Sequence, residues 1–141
     1  MISQKEPIIA LLVYSDESPL AGLRVALAGQ SVETYRARTC QHTRSFLGKA
    51  NQHPHIVFTD TALADGAWTD VLAAAGEAQS AVDVIVVSRW LGMKVYVDAL
   101  ERGAFDFMTP PFEVPELNHV LRRAAHDVLA RRVSTSMAAS A

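Results

Sequence analysis

Along the chain, apolar runs without helical spacing alternate with stretches whose apolar positions recur every three or four residues. Ile8-Ile9-Ala10-Leu11-Leu12-Val13-Tyr14 is continuous and apolar, which predicts a strand buried on both faces. It meets polar Ser15-Asp16-Glu17. Ser18-Pro19 then supplies an N-cap and a proline suited to the first helical position, and Leu20, Leu23 and Leu27 follow at helical spacing before Gly29. Residues 32–38 have strand composition but are more polar, as an outer strand with one solvated face would be. Thr43 is placed to cap a short helix carrying Phe46, Leu47 and Ala50, which residues 51–54 end. His55-Ile56-Val57-Phe58-Thr59 predicts a third strand that stops at Asp60.

After a turn at Ala64-Asp65-Gly66, the inner face of another helix is marked by Trp68, Val71, Leu72 and Ala75, closing near Gly76. Residues 82–87 predict a fourth strand ending at Ser88. Residues 92–102 place Val95, Ala99 and Leu100 on one helical face and stop at Gly103, a residue suited to a left-handed C-cap. Ala104-Phe105-Asp106-Phe107-Met108 is a short fifth strand running into Pro110-Pro111. The last helix carries the stripe Leu117, Val120, Leu121, Ala124, Val128 and Leu129, with Arg122, Arg123, Arg131 and Arg132 complementing its dipole and solvating its outer face. One domain over residues 1–133 is expected, followed by a frayed polar tail over 134–141.

Five strands alternating with five helices predict an α/β fold. Parallel strands need crossover connections, and these are right-handed, so the chain should form an open, doubly wound five-stranded parallel sheet covered on both faces. At 141 residues the chain is long enough to bury a real core as one domain. Its formal charge of -2 gives no sign of a nucleic-acid partner. Cys40 is the single cysteine, which excludes an internal disulfide and suits a reducing cytoplasm. Residues 1–7 lack the layout of a signal peptide, and the longest apolar runs fall far short of the ~20 residues that cross a bilayer as a helix, so no membrane association is expected.

In an open α/β sheet the functional crevice lies beyond the carboxyl ends of the strands, where strand order reverses. Three predicted strands end there in polar groups: Ser15-Asp16-Glu17, Asp60 and Ser88. Two carboxylates and a hydroxyl brought to one rim suit a hard cation and a phosphoryl group. Each residue also has a plainer role, since Asp60 could end a strand, Asp16 cap a helix, Ser88 sit in a turn and Phe107 fill the core. His53-Pro54-His55 is read as a solvated pair, because no third ligand lies near. Trp90 is a candidate for partner contact.

With those residues assembled, the chain resembles a response-regulator receiver domain of bacterial two-component systems from Ile8 to Arg132. The motif after the first strand is matched by Ser15-Asp16-Glu17, lacking its first acid. The phospho-acceptor segment is similar to Pro54-His55-Ile56-Val57-Phe58-Thr59-Asp60 with Leu63-Ala64-Asp65-Gly66, and the remaining marks fall on Ser88, Gly103-Ala104 and Asp106 to Phe112. The resemblance implies the flavodoxin-like (βα)5 fold with strand order 2-1-3-4-5. It implies Asp60 as phospho-acceptor, Ser88 and Phe107 as switch residues, and Mg2+ held by Asp16, Asp60 and the Ala62 main-chain carbonyl. A histidine kinase or phosphotransfer protein would be the phosphodonor, and partners or a second copy would bind the face of the fourth helix, fifth strand and fifth helix. Such a cytoplasmic signalling module is not an enzyme in the ordinary sense.

Two positions depart from the family pattern: Ser15 stands where the first acid would be, and Pro110 where the signature lysine would be. The changes oppose each other in charge. Loss of the lysine removes a charge-assisted hydrogen bond worth roughly 1.5–3 kcal/mol. Arg89, next to Ser88, is the candidate substitute cation. A pseudo-receiver that binds proteins without being phosphorylated is the rival function. A flavodoxin-like cofactor enzyme is disfavoured because residues 15–19 offer no glycines or run of hydroxyls to cradle phosphate. The family's usual cis bond predicts that Pro110-Pro111 is cis.

Overall fold

The computed structural model of the protein describes residues 7–15, 19–49, 53–90 and 92–140, with side chains as far as Thr135. Five strands form one parallel sheet: β1 (Ile8–Val13), β2 (Val32–Ala37), β3 (Ile56–Asp60), β6 (Asp83–Val87) and β7 (Asp106–Met108). Between β3 and β6 lie β4 (Ala62–Leu63) and β5 (Gly66–Ala67), a separate antiparallel hairpin. The sheet order is β2-β1-β3-β6-β7, which is the expected 2-1-3-4-5 once the hairpin is set aside. Its reversal falls between β1 and β3, so the crevice opens beyond Val13 and Asp60.

Five helices cover the sheet: α1 (Pro19–Ala28), α2 (Cys40–Leu47), α3 (Trp68–Glu77), α4 (Met93–Glu101) and α5 (Val114–Ser140). Alternation along each strand sends neighbouring side chains to opposite faces. Leu12, Phe58, Ile85 and Val87 pack under α1 and α5, against Leu20, Leu23, Leu27, Leu117 and Leu121. Leu11, Val13, Val57 and Val84 pack under α2 and α3, against Phe46, Leu47 and Val71. The residues of β1 from Ala10 to Val13 are buried, which is why that stretch reads as one unbroken apolar run. Each leucine taken fully out of water contributes about 1.5–3 kcal/mol, so the three α1 leucines supply much of what holds that helix to the sheet.

Several local expectations change. Helix α2 begins one turn earlier than the sequence suggests, because Thr39, and not Thr43, is its N-cap: the Thr39 hydroxyl accepts the His42 N–H at 3.0 Å. Thr43 is fully buried and returns its own hydroxyl to the Thr39 carbonyl at 2.9 Å. Ser18 and Ala50, named as a cap and a core position, lie outside the described residues. On α4 only Ala99 is buried, while Val95 and Leu100 are exposed, since the strand beneath is only three residues long and covers little of the helix. Leu129 is likewise exposed. The stretch from Ser134, expected to fray, continues α5 to Ser140; it is built from Ser, Thr, Met and Ala, none of which breaks a helix.

The arginines near the end of α5 do more than solvate it. Arg132 donates to the main-chain carbonyls of Ala81 (3.0 Å), His53 (3.3 Å) and Pro54 (2.9 Å), and Arg131 pairs with buried Asp83 at the start of β6. His55 is not a solvated member of a pair either, since its Nδ1 accepts the Ile9 N–H at 3.0 Å and ties β3 to β1. Gly103 has φ +106, as a left-handed C-cap requires, and Pro110-Pro111 is cis, as expected. No helix among the described residues is long and apolar enough to cross a membrane.

Candidate functional site

The polar rim is built by where the strands stop. Asp60 is the last residue of β3, in register with Val87, the last residue of β6. Residues in register on parallel strands share a face, so Asp60 lies on the side of the sheet covered by α1 and α5, the side where Val87 packs. It is half-buried, and its Oδ1 accepts the Thr61 N–H at 2.7 Å. Ala62 follows within the same turn, exposed and opening the hairpin.

Ser88 leaves β6 one residue beyond the register partner of Asp60. Its N–H donates to the Met108 carbonyl at 3.1 Å, and its hydroxyl oxygen accepts the Trp90 N–H at 3.2 Å, shaping the turn toward α4. The hydroxyl proton is left to donate elsewhere. Asp60 and Ser88 therefore stand on neighbouring strand ends, though no hydrogen bond joins them. Asp16, the third member of the expected constellation, lies outside the described residues.

Phe107 is buried on the opposite face, edge-on to Tyr96 with ring centroids 5.8 Å apart. It is packed with Trp68, Val86 and Ala99, on the side where Ser88 makes its turn. Trp90 is exposed, as are Met93 and Val97.

Two residues to which the sequence assigned no bonding partner, Asp65 and Arg36, shape the approach to this rim. The Asp65 carboxylate accepts the N–H groups of Cys40 (2.7 Å) and Gln41 (3.0 Å), fastening the loop after Asp60 to the start of α2. Those two bonds hold its carboxyl below the usual aspartate value. Burial and the nearby Asp65 charge push the Cys40 thiol up to about 11, so it stays protonated and unreactive. A Cβ on Gly66 would come within 2.9 Å of the Cys40 sulfur and nearer still to the Asp70 carboxylate, so a larger residue there would force both side chains to shift. Arg36 lies over the Tyr14 ring, 3.9 Å from its centroid, and donates to the carbonyls of Tyr14 (3.3 Å) and Ser15 (2.9 Å), which fixes the exit of β1.

Asp60 and the Ala62 carbonyl are hard oxygen donors, the chemistry that Mg2+ takes, and Mg2+ commonly needs one or two carboxylates with water completing its shell. The described residues thus fit such an ion in kind, although they contain no cluster of three or more His, Cys, Asp or Glu side chains.

No family model matches the sequence. Among curated proteins it is similar to the KDP operon transcriptional regulatory protein KdpE of Escherichia coli K12, 33% identical over 115 residues, which is 81% of this chain and 50% of that protein. It is also similar to the response regulator protein PilR of Pseudomonas aeruginosa, 25% identical, covering 80% of this chain and 25% of that protein. The chain thus spans half or less of these relatives. Among solved structures, the signal receiver domain of an HD domain-containing protein from Pseudomonas fluorescens Pf-5 superposes with a TM-score of 0.78 at 20% identity, covering 94% of this chain and 96% of that one.

Proposed function

Since the chain is a response-regulator receiver domain, we propose that it acts as a phospho-acceptor, with Asp60 taking a phosphoryl group from a histidine kinase or phosphotransfer protein in the cytoplasm. The observation that carries this reading is the register of Asp60 with Val87, which sets a half-buried carboxylate at the switch point of the sheet beside the strand that ends in Ser88. A carboxylate oxygen of Asp60 attacks phosphorus, the donor's nitrogen-phosphorus bond breaks, and the leaving imidazole keeps the electron pair and takes its proton from solvent. Mg2+ held by Asp16, Asp60 and the Ala62 carbonyl would offset the repulsion between the anionic nucleophile and the anionic phosphoryl group. Ser88 is suited to donate its hydroxyl proton to a phosphoryl oxygen. Phe107, against Tyr96 of α4, would carry the change to the face of α4, β7 and α5.

Incubation with acetyl phosphate and Mg2+ should add one phosphoryl group to the intact mass, and Asp60→Asn should abolish it. Absence of the adduct on the wild-type protein removes the proposal.

One observation favours a second reading, a pseudo-receiver that works by protein contact alone. Trp90, 77% exposed, lies just before α4, on which Met93, Val97 and Leu100 are exposed at helical spacing. A second copy of this chain is the occupant that reading names. Sedimentation of the unphosphorylated protein separates the two: a stable dimer lost in Val97→Asp, together with no phosphoryl adduct, supports the pseudo-receiver.

A further inference from the structure

We propose that Arg89 is the cationic residue of the phosphoryl site, reaching over the end of the sheet from β6. The proposal rests on the phospho-acceptor reading and adds to it the group that receives the transferred charge. Three observations carry it.

First, position. Arg89 follows Ser88 directly beyond the end of β6, the strand whose last residue, Val87, is in register with Asp60. Second, direction. Arg89 lines a cleft of about 400 Å³ together with Pro19 and Gly22 of α1 and with Pro110, Pro111 and Phe112. Arg89 thus borders a space shared by the end of β6, the start of α1 and the Pro110-Pro111 segment. The walls of that cleft are otherwise apolar or glycine, and Pro110 has neither a charge nor a side-chain donor. Third, availability. Arg89 is exposed and makes no hydrogen bond or ion pair with the described residues, whereas Arg36, on the far side of β1, is occupied by the carbonyls of Tyr14 and Ser15.

A phosphoryl group entering between Asp60 and Ser88 carries charge on its peripheral oxygens, and a guanidinium offers paired N–H donors to two of them. Arg89 has the reach and the unspent donors for that role. It also has no structural duty that its removal would disturb.

A cation beside a carboxylate site opposes metal binding and favours phosphate binding, so the test reads the two with opposite signs. Mg2+ affinity, followed by tryptophan fluorescence, and the rate of acyl-phosphate formation from acetyl phosphate would be measured on wild type, Arg89→Ala, Arg89→Lys and Arg89→Ala combined with Pro110→Lys. The assignment expects Arg89→Ala to bind Mg2+ as tightly as wild type or more tightly, while its phosphorylation slows about tenfold to a hundredfold. Arg89→Lys and the double variant should each recover part of the rate. Phosphorylation of Arg89→Ala at the wild-type rate overturns the assignment and leaves the phospho-acceptor reading intact, as does a parallel loss of Mg2+ affinity and rate that lysine fails to rescue. A wild-type protein that takes no phosphoryl group overturns both.

Discussion

Arg131 of α5 is hydrogen-bonded to Oδ1 of Asp83, the first residue of β6, and holds the buried end of that strand to the last helix. The same guanidinium reaches Asp127 at 3.1 Å. Burial first, and then the hydrogen bond with Asp127, push the Asp83 carboxyl up to about 7, against the pull of Arg131. A half-exposed guanidinium returns less than the desolvation of a carboxylate that is nearly out of water costs.

The sign of the resulting pH dependence follows from proton binding. A carboxyl with a higher pKa folded than unfolded binds more protons in the folded state, so it adds stability at low pH that is lost as pH rises from about 4 to about 7. Urea midpoints of the wild-type protein should therefore carry a falling contribution across that window. In Asp83→Asn the contribution should vanish, and an unchanged pH slope in that variant would contradict the assignment.

Asp65 should act in the opposite direction. Its carboxyl is held below the ordinary value by the Cys40 and Gln41 amides, so its contribution is full above the unfolded pKa and is lost as pH falls through the folded one. Asp65→Ala should lower the urea midpoint at neutral pH and loosen the loop after Asp60, visible as faster amide exchange at Cys40 and Gln41. Equal exchange in variant and wild type would show that the loop is held by other contacts.

Phe58 is among the largest fully buried side chains and lies in the cluster between the sheet and the pair α1 and α5. Phe58→Ala should cost about 3–5 kcal/mol in chemical denaturation. Val25→Ser, on the exposed side of α1, serves as the control and should stay within about 0.5 kcal/mol of wild type.

Gly103→Ala tests the turn after α4. No neighbour would clash with the added Cβ, so the cost is that of the positive φ alone, about 1–2 kcal/mol. A neutral result would require the turn to relax to negative φ, which the chemical shifts of Gly103 and Ala104 would reveal.

The local pattern was sufficient for β1, β3 and β6, for the buried stripe of α1, for Trp68 and Val71 of α3 though not for its buried Ala74, and for the special backbone at Gly103 and Pro110-Pro111. Each depends on neighbours within a few residues, and the periodicity of burial is written into those neighbours. The cap of α2 was misplaced because Thr39 and Thr43 are the same residue type one turn apart, and only the chain direction at Thr39 frees its hydroxyl for the His42 amide. The outer side of α4 was misassigned for a different reason. Spacing reveals that an apolar stripe exists, but whether it is covered depends on the length of β7 beneath it.

By itself the sequence determined the alternation of strands and helices, hence a parallel sheet with Asp60 and Ser88 at strand ends, because those are consequences of local polarity and of where apolar runs stop. Only the tertiary structure decided that Asp65 fastens to Cys40, that Arg131 finds Asp83 and Arg132 the carbonyls of His53 and Pro54, and that Arg89 shares a cleft with the start of α1. Those partners are separated by long stretches of chain, and a polar side chain carries no mark of which distant group will satisfy it until the sheet has brought the two together.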